Sequence, residues 1–209
     1  MKIALINASP KRSESASKAL LSALKGLFSD EHTIKEFSLY TPNITKEEIK
    51  DLCNYSAWVF ALPLYIDGIP SHLLSCLCKI EQLGIDCKNI HVYAIVNCGF
   101  FEGKQACNAL DILKNWCNKV GLVWGSGIGF GGGGSLEYMQ GVPLGIGPKA
   151  TLGKAFKELI SAILSRSSIE NIYTSIGFPR FLYKIAAERG WKKMIRANGG
   201  KKKDLNKRL

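Results

Sequence analysis

Short apolar runs alternate with helix-like segments along this chain, and that alternation limits the folds open to it more than any other feature. Most of the runs are almost wholly apolar, as in strands that are buried on both faces of a parallel sheet. Between the runs, apolar residues recur every three or four positions, as on the buried face of a helix. Strands are predicted over residues 2–7, 32–39, 57–62, 90–97 and 122–128.

A helical pattern follows each of these strands, around residues 20–28, 46–52, 73–80, 106–120 and 152–164. Five strand–helix units in succession predict an α/β three-layer sandwich, in which right-handed crossovers place helices on both faces of a parallel sheet. Five strands can be wound in the order 2-1-3-4-5, which puts a ligand crevice beyond the carboxyl ends of the strands. We therefore expect one domain over residues 1–169 and a basic helical extension over residues 170–209.

The composition, with 46% hydrophobic and 22% charged residues, is that of an ordinary globular protein. No apolar run approaches the roughly 20 residues of a membrane span, and the first ten residues lack the pattern of a signal peptide, so we expect a cytoplasmic address. The seven cysteines are odd in number and lie mostly in apolar stretches, as free buried thiols do. Because no paired Cys-x-x-Cys units occur, we expect no metal site.

The net charge of +11 is concentrated at the carboxyl-terminal end, where residues 180–209 hold eleven of the 28 basic residues and only two acidic ones. Before and within this region, four apolar residues share one helical face: Phe178, Phe181, Leu182 and Ile185. Gly190 is expected to break the helix. We expect the apolar stripe to pack on its own chain or on a second copy; contact with an anionic membrane surface is the less favoured alternative, and nothing suggests nucleic-acid readout.

The turn after the first predicted strand, residues 7–17, combines four serines with Lys11 and Arg12 and leads into a helix. A phosphate group there would meet backbone N–H groups and the positive end of the helix dipole. The same composition also suits a solvated, serine-capped helix start, so both interpretations stay open. The turn is neither a Walker phosphate loop nor a Gly-x-Gly-x-x-Gly fingerprint, which disfavours ATP and a Rossmann-type dinucleotide site.

The turns after the third and fourth predicted strands have the features of a site for a planar heterocycle. Residues 63–70 combine apolar side chains such as Tyr65 with glycine and proline, and residues 97–103 combine two phenylalanines with two glycines. Such a ring requires apolar walls and a few well-placed polar groups. Either turn alone could be an ordinary connection, but a parallel sheet brings all three turns to one edge.

Together these turns resemble those of the NAD(P)H-dependent FMN reductase family of the flavodoxin-like superfamily. The family's first motif, approximately Gly-Ser-Pro-Arg-x-x-Gly-Asn-(Thr/Ser)-Ser, corresponds to residues 8–17, and its second, Ser-Pro-x-Tyr-x-x-x-(Ile/Met)-(Pro/Ser), to residues 62–70. The resemblance implies a flavodoxin-like sandwich that holds the FMN phosphate in the first turn and the isoalloxazine ring against the other two. The residues that it implies for FMN binding are Ser9, Lys11, Ser15, Ala16, Ser17, Pro63, Leu64, Tyr65, Ile66, Asp67, Gly68, Asn97, Cys98, Gly99, Phe100 and Glu102.

The resemblance also implies an activity: electrons pass from NAD(P)H through FMN to a small acceptor such as a quinone, a nitro or azo compound, or free flavin. The flavin carries this chemistry, so no catalytic side chain is required, and the resemblance suggests a homo-oligomer. Two alternatives stay open, namely an electron-carrying flavodoxin with no substrate of its own and a module that binds no flavin. We expect no catalytic role for the isolated His32, His72 and His91, whereas Gly131–Gly134 either flanks the flavin or only connects elements.

Overall fold

The computed structural model describes residues 1–13, 15–84, 87 and 89–206, and the chain forms two compact units, Met1–Ile176 and Gly177–Leu209. The strands, all in the first unit, are β1 (Lys2–Asn7), β2 (Thr33–Ser38), β3 (Ala57–Pro63), β4 (His91–Cys98), β5 (Val123–Gly131) and β6 (Ile172–Ser175). The helices are α1 (Ala16–Lys25), α2 (Lys46–Leu52), α3 (Ser71–Leu83), α4 (Cys107–Val120), α5 (Ala150–Ser165) and, in the second unit, α6 (Arg180–Ala197).

The strands form one parallel sheet in the order β2-β1-β3-β4-β5-β6. The five predicted strands and their order are confirmed, but the predicted strand number is wrong because β6 pairs with β5, Ile128 lying opposite Ile172. The sheet therefore continues past residue 169, where the sequence analysis ended the domain. No local pattern indicates β6, since the strand has four residues and each of them is only half-buried.

Two helical layers cover the sheet, because alternate residues of each central strand face opposite ways. On one face Trp58 and Phe60 pack with apolar residues of α3 and α4, including Trp116. The indole N–H of Trp58 donates to the carbonyl of Leu52 at 2.9 Å, which satisfies the one polar atom of this buried side chain. On the other face, the hydroxyl of Tyr93 in β4 donates to the carbonyl of Ala162 in α5 at 2.8 Å.

The buried phenol of Tyr93 predicts a loss of stability in strong alkali. Burial raises the pKa of Tyr93 to about 12 from its ordinary value of 10.0, although the charge of Arg166 acts in the opposite direction. The unfolded chain therefore ionises first, so the contribution of this phenol to the free energy of unfolding is complete below pH 10 and falls as the pH rises toward 12. We expect Tyr93→Phe to unfold with a weaker dependence on pH over that range in urea titrations. An equal dependence in both proteins would contradict the assignment.

Two of the seven cysteines are not free thiols. Cys53, at the end of α2, and Cys87 form a disulfide with their Cα atoms 5.5 Å apart. The other five are free, among them the buried Cys117 and the exposed Cys78. Thirty-four residues separate the two bonded cysteines, so only the tertiary fold brings them together. Because disulfides are typical of oxidising environments, the cysteines no longer support the predicted cytoplasmic address.

In the second unit, α6 runs without interruption through Gly190. The predicted break there is therefore wrong: an interior glycine costs a helix only about 1 kcal/mol, and good helix formers flank this one. None of the residues of α6 is buried. Among the described residues, no helix combines the length and apolar character needed to cross a bilayer.

Candidate functional site

The carboxyl ends of β1, β3 and β4 are joined by backbone hydrogen bonds at one edge of the sheet. The N–H of Ala8, just beyond β1, donates to the carbonyl of Ala61 in β3 at 2.9 Å. The N–H of Leu64, just beyond β3, donates in turn to the carbonyl of Asn97 in β4 at 2.8 Å. The three turns that the sequence singled out are therefore neighbours in space.

The first turn places three serines inside and its cations outside. Ser9, Ser15 and Ser17 are buried, whereas Lys11 and Arg12 are exposed. The N–H of Lys11 donates to the hydroxyl of Ser9 at 3.3 Å, and the hydroxyl of Ser15 caps α1 by accepting from the N–H of Lys18 at 3.2 Å. The amides of Ala16 and Ser17 lie in the first turn of the helix, where no intrahelical acceptor exists. With no acidic residue in that turn, its field favours an anion.

Asn97 holds this turn against the sheet. The sequence analysis placed Asn97 with the residues that contact the ring, but its side-chain amide donates to the hydroxyl of Ser17 at 3.0 Å and to the carbonyl of Leu62 at 2.9 Å. Its side chain is 6% exposed and packs against Gly133, where a Cβ would lie 2.9 Å from the amide oxygen. Asn97 is therefore a positioning residue that ties β3, β4 and α1 together.

Asn7, which the sequence analysis did not select, supplies a test of whether this turn fits an anion. Its side-chain oxygen accepts from the N–H of Ser9 at 3.1 Å, so its nitrogen is the donor left over. That nitrogen is buried and has no hydrogen-bond partner within the described part of the chain. A buried donor without an acceptor costs about 1–3 kcal/mol, and a phosphate oxygen would remove that cost. The signal that could have revealed Asn7 is an amide at the end of an otherwise apolar strand.

The second turn is a tight hairpin-like loop at the end of β3. The amides of Tyr65 and Gly68 each donate to the carbonyl of the other at 3.0 Å. The amide of Gly68, which the resemblance assigned to the flavin, is thus used within the turn, whereas the amides of Ile66 and Asp67 are not part of these two bonds. Ile66 and Asp67 both have positive φ, 48° and 55°. The side chain of Ile66 is fully exposed and that of Tyr65 is 47% exposed, so both are available to contact a ligand.

Ile66 stores backbone strain that a substitution can release. A left-handed backbone costs an ordinary L-residue about 1–2 kcal/mol, and a β-branched residue is a poor choice for it, whereas asparagine adopts it readily. We expect Ile66→Asn to raise the free energy of unfolding by about 1 kcal/mol in urea titrations. The matched control is Ile146→Asn, since Ile146 is also exposed but has φ −121°. Equal effects of the two substitutions would show that strain at Ile66 is not the cause.

The third turn contains the buried thiol of Cys98 and the half-buried Glu102. Burial is the main cause that raises the pKa of Cys98; a backbone hydrogen bond with Phe100 lowers it, and the charges of Glu102 and Asp67 raise it further. Cys98 therefore stays a neutral thiol at physiological pH. The influence of Asp67 also shows that the second and third turns approach each other. Phe100 is 57% exposed and adds a second aromatic surface to this edge.

The glycine-rich stretch at the end of β5 packs against the third turn. The N–H of Gly132 donates to the carbonyl of Phe100 at 2.7 Å, and a Cβ at Gly131 would overlap the carbonyl of Phe101. A Cβ at Gly134, by contrast, would meet nothing within 4 Å. The first residues of this stretch therefore allow two backbones to approach closely, and they support the third turn from behind.

The described residues also form a groove of about 880 Å³ along the side of α1, away from the second and third turns. It is lined mostly by small and apolar residues of α1 and of the segment 136–152, and it shares only Ser15 and Ala16 with the candidate site. Tyr65, Ile66 and Phe100, which are exposed at the candidate site, lie outside this groove. The case for the site therefore depends on the convergence of the three turns, and the volume of this groove adds nothing to it.

Comparison with known proteins identifies the fold. No protein-family model matches the chain, and no curated protein does. A solved structure described as an NADPH-quinone reductase from P. pentosaceus aligns with a TM-score of 0.54 and 14% identity, over 81% of this chain and 99% of that one. The Trp repressor binding protein from Bacillus subtilis aligns with a TM-score of 0.50 and 15% identity, over 62% of this chain and 84% of that one. The chain therefore has the flavodoxin-like α/β fold that its resemblance to the FMN reductases implied.

Proposed function

We propose that this chain binds FMN at the carboxyl edge of its sheet and uses it as an oxidoreductase between NAD(P)H and a small acceptor. The observations that carry the proposal lie in the first turn: the first amides of α1 have no intrahelical acceptor, the side-chain amide of Asn7 is buried without a partner among the described residues, and Lys11 is exposed. This set of donors matches a phosphate monoester of charge about −2. One solved structure with this fold is described as an NADPH-quinone reductase, which is compatible with the proposal.

In the phosphate-binding part of the site, each group has a separate role. The buried amide of Asn7 and the amides of Ala16 and Ser17 would donate hydrogen bonds, and Lys11 would offset charge at the solvent side. Asn97 fixes the hydroxyl of Ser17 from beneath, at 3.0 Å. A charge-assisted hydrogen bond contributes about 1.5–3 kcal/mol, so two or three of them would raise the affinity for FMN by roughly a hundredfold or more.

In the ring-binding part of the site, the second and third turns would form the walls. Tyr65, Ile66 and Phe100 expose apolar surface at this edge, and the amides of Ile66 and Asp67 take no part in the two hydrogen bonds between Tyr65 and Gly68. When bound there, FMN would supply the hydride and electron chemistry that no side chain of this chain provides. The chain's own contribution is to bind, orient and present the ring.

The acceptor would reach the ring from the solvent side, where Ile66 and Phe100 are the most exposed apolar groups of the two turns. An open edge of this kind selects weakly among planar molecules. We therefore propose a quinone, a nitro or azo compound, or free flavin as the acceptor class. The competing function is a flavodoxin-type electron carrier, which would receive electrons from a partner reductase only.

The two functions differ in how the bound flavin is reduced. Purified protein loaded with FMN is mixed with NADH or NADPH under argon in a stopped-flow spectrometer, and the flavin absorbance is followed. We expect one of the nicotinamides to bleach the flavin and a quinone to restore its absorbance. If dithionite reduces the flavin and neither nicotinamide does, the protein is a carrier and the proposed reductase activity is wrong.

A further inference from the structure

The carboxyl-terminal unit exposes an unusual amount of apolar surface for a segment so basic. The side chains of Phe178, Phe181, Leu182 and Ile185 are 39%, 65%, 37% and 43% exposed. Phe181, Leu182 and Ile185 form an apolar stripe on one side of the first half of α6, and Phe178 lies two residues before the helix begins at Arg180. Exposed apolar stripes rimmed by charge mark interaction sites.

On the second half of α6, the same side of the helix turns from apolar to cationic. Ile185 and Lys192 are seven residues apart, which is close to two helical turns, and Arg196 lies one turn beyond Lys192. Glu188 lies between the apolar and the cationic residues, and its carboxylate is 4.0 Å from the ammonium group of Lys192. The surface therefore combines an apolar half and a basic half on one side of a single helix about 27 Å long.

The end of α6 gathers four cations around a small cavity. Gly199 has φ 74°, and the N–H of Gly200 donates to the carbonyl of Ile195 at 2.9 Å, so the chain turns back against the helix. A cavity of about 280 Å³ results, and its lining consists of Lys192, Ile195, Arg196, Gly200, Lys201 and Lys202. Asp204 caps the turn through the N–H of Lys201 at 2.7 Å. Positive charge around a cavity is favourable only when an anion can enter it.

We propose that residues 178–202 bind the surface of an anionic phospholipid bilayer, with the apolar stripe inserted among the acyl chains and the cationic cavity on lipid phosphates. An interfacial helix of this kind combines buried apolar area with attraction to anionic lipid. The sequence analysis favoured packing on a second copy, but pairing this surface with itself would bring two strongly basic segments together. Nucleic acid would satisfy the cations and leave Leu182 and Ile185 in water.

The test uses the full chain in sedimentation with vesicles of phosphatidylcholine alone and vesicles that also contain phosphatidylglycerol, at low and at high salt. We expect salt-sensitive binding to the anionic vesicles only. The apolar variant is Phe181→Ser with Ile185→Ser, and the charge variant is Lys192→Gln, Arg196→Gln, Lys201→Gln and Lys202→Gln. We expect the affinity to fall at least tenfold in the apolar variant and roughly a hundredfold in the charge variant. Because no residue of α6 is buried, neither variant disturbs a core, and circular dichroism verifies the helix content.

The matched control removes four exposed lysines of the first unit, Lys46, Lys50, Lys114 and Lys157, by the same change to glutamine. It lowers the net charge equally and should leave the vesicle affinity within about twofold, because distant charges are screened. An equal loss in the control would show non-specific attraction and overturn the proposal. Two further outcomes would also overturn the proposal. If the protein does not bind vesicles but self-associates, and the apolar variant abolishes that self-association, the stripe packs on a second copy. If the protein binds an RNA or DNA fragment in place of anionic vesicles, the cations serve nucleic acid.

Discussion

Replacing Gly103 with alanine is expected to lower the free energy of unfolding by about 3 kcal/mol or more, which places it among the most damaging single changes in the chain. Gly103 lies at the end of the third turn, where that turn crosses β5 and β6. A Cβ there would overlap the backbone carbonyls of Gly129 and Thr174. These carbonyls belong to paired strands, so neither can move aside without breaking sheet hydrogen bonds.

The matched control is Gly99→Ala in the same turn. A Cβ at Gly99 would meet no atom within 4 Å, and Gly99 is absent from the residues with positive φ, so we expect a change within about 0.5 kcal/mol. Urea titrations of both variants measure the difference. A Gly103→Ala protein as stable as Gly99→Ala would contradict the close packing of the third turn on β5 and β6.

Replacing Ala16 with glutamate is expected to weaken FMN binding about a hundredfold while leaving the protein as stable or slightly more stable. Ala16 is the first residue of α1, so a carboxylate there would interact favourably with the helix dipole, by about 0.3–1 kcal/mol. The same carboxylate would lie within about 4–6 Å of the proposed phosphate, where repulsion between like charges costs about 3–4 kcal/mol at an effective dielectric near 20. Affinity and stability should therefore move in opposite directions.

Ala16→Gln serves as the control, because it has nearly the same size as glutamate without the charge. FMN affinity from fluorescence titration and the melting temperature are measured for both variants. If both variants bind FMN as tightly as the unchanged protein does, the phosphate lies elsewhere. If both lose affinity equally, the cause is a steric effect at the entrance of the groove along α1.

The five central strands and the helices between them could be predicted because their signals are local. A buried run such as residues 57–62 shows its burial on both faces in its own composition, and each helix shows its apolar face in its own spacing. β6 could not be predicted in this way. Its four half-buried residues, Ile172–Ser175, gain their place only by pairing with β5.

The glycines of β5 illustrate why a local rule can mislead. Glycine within a predicted strand suggests an interruption, and the sequence analysis ended β5 early, at residue 128. In the structure the strand continues to Gly131. The glycines are there because other groups come close: the ring of Tyr93 lies against Gly125, and the carbonyl of Phe101 lies against Gly131. Both contacts join residues that are far apart in sequence.

The candidate site was predicted in outline and corrected in its parts. Strand-end turns meet at one edge of any parallel sheet, so the convergence of the three turns followed from the strand order. What each residue does there depends on packing. The side-chain amide of Asn97 donates to the hydroxyl of Ser17, the amide of Gly68 is used within its own turn, and Asn7 contributes a buried donor that no motif indicated.

The central claim is that the first turn holds a phosphate group of FMN. The most direct measurement is a fluorescence titration of the same flavin-free protein with FMN and with riboflavin, which differ only in the phosphate. Because the phosphate would receive two or three charge-assisted hydrogen bonds of about 1.5–3 kcal/mol each, we expect FMN to bind at least a hundredfold more tightly than riboflavin, and the difference to shrink as salt is added. Equal affinities for FMN and riboflavin would contradict the claim.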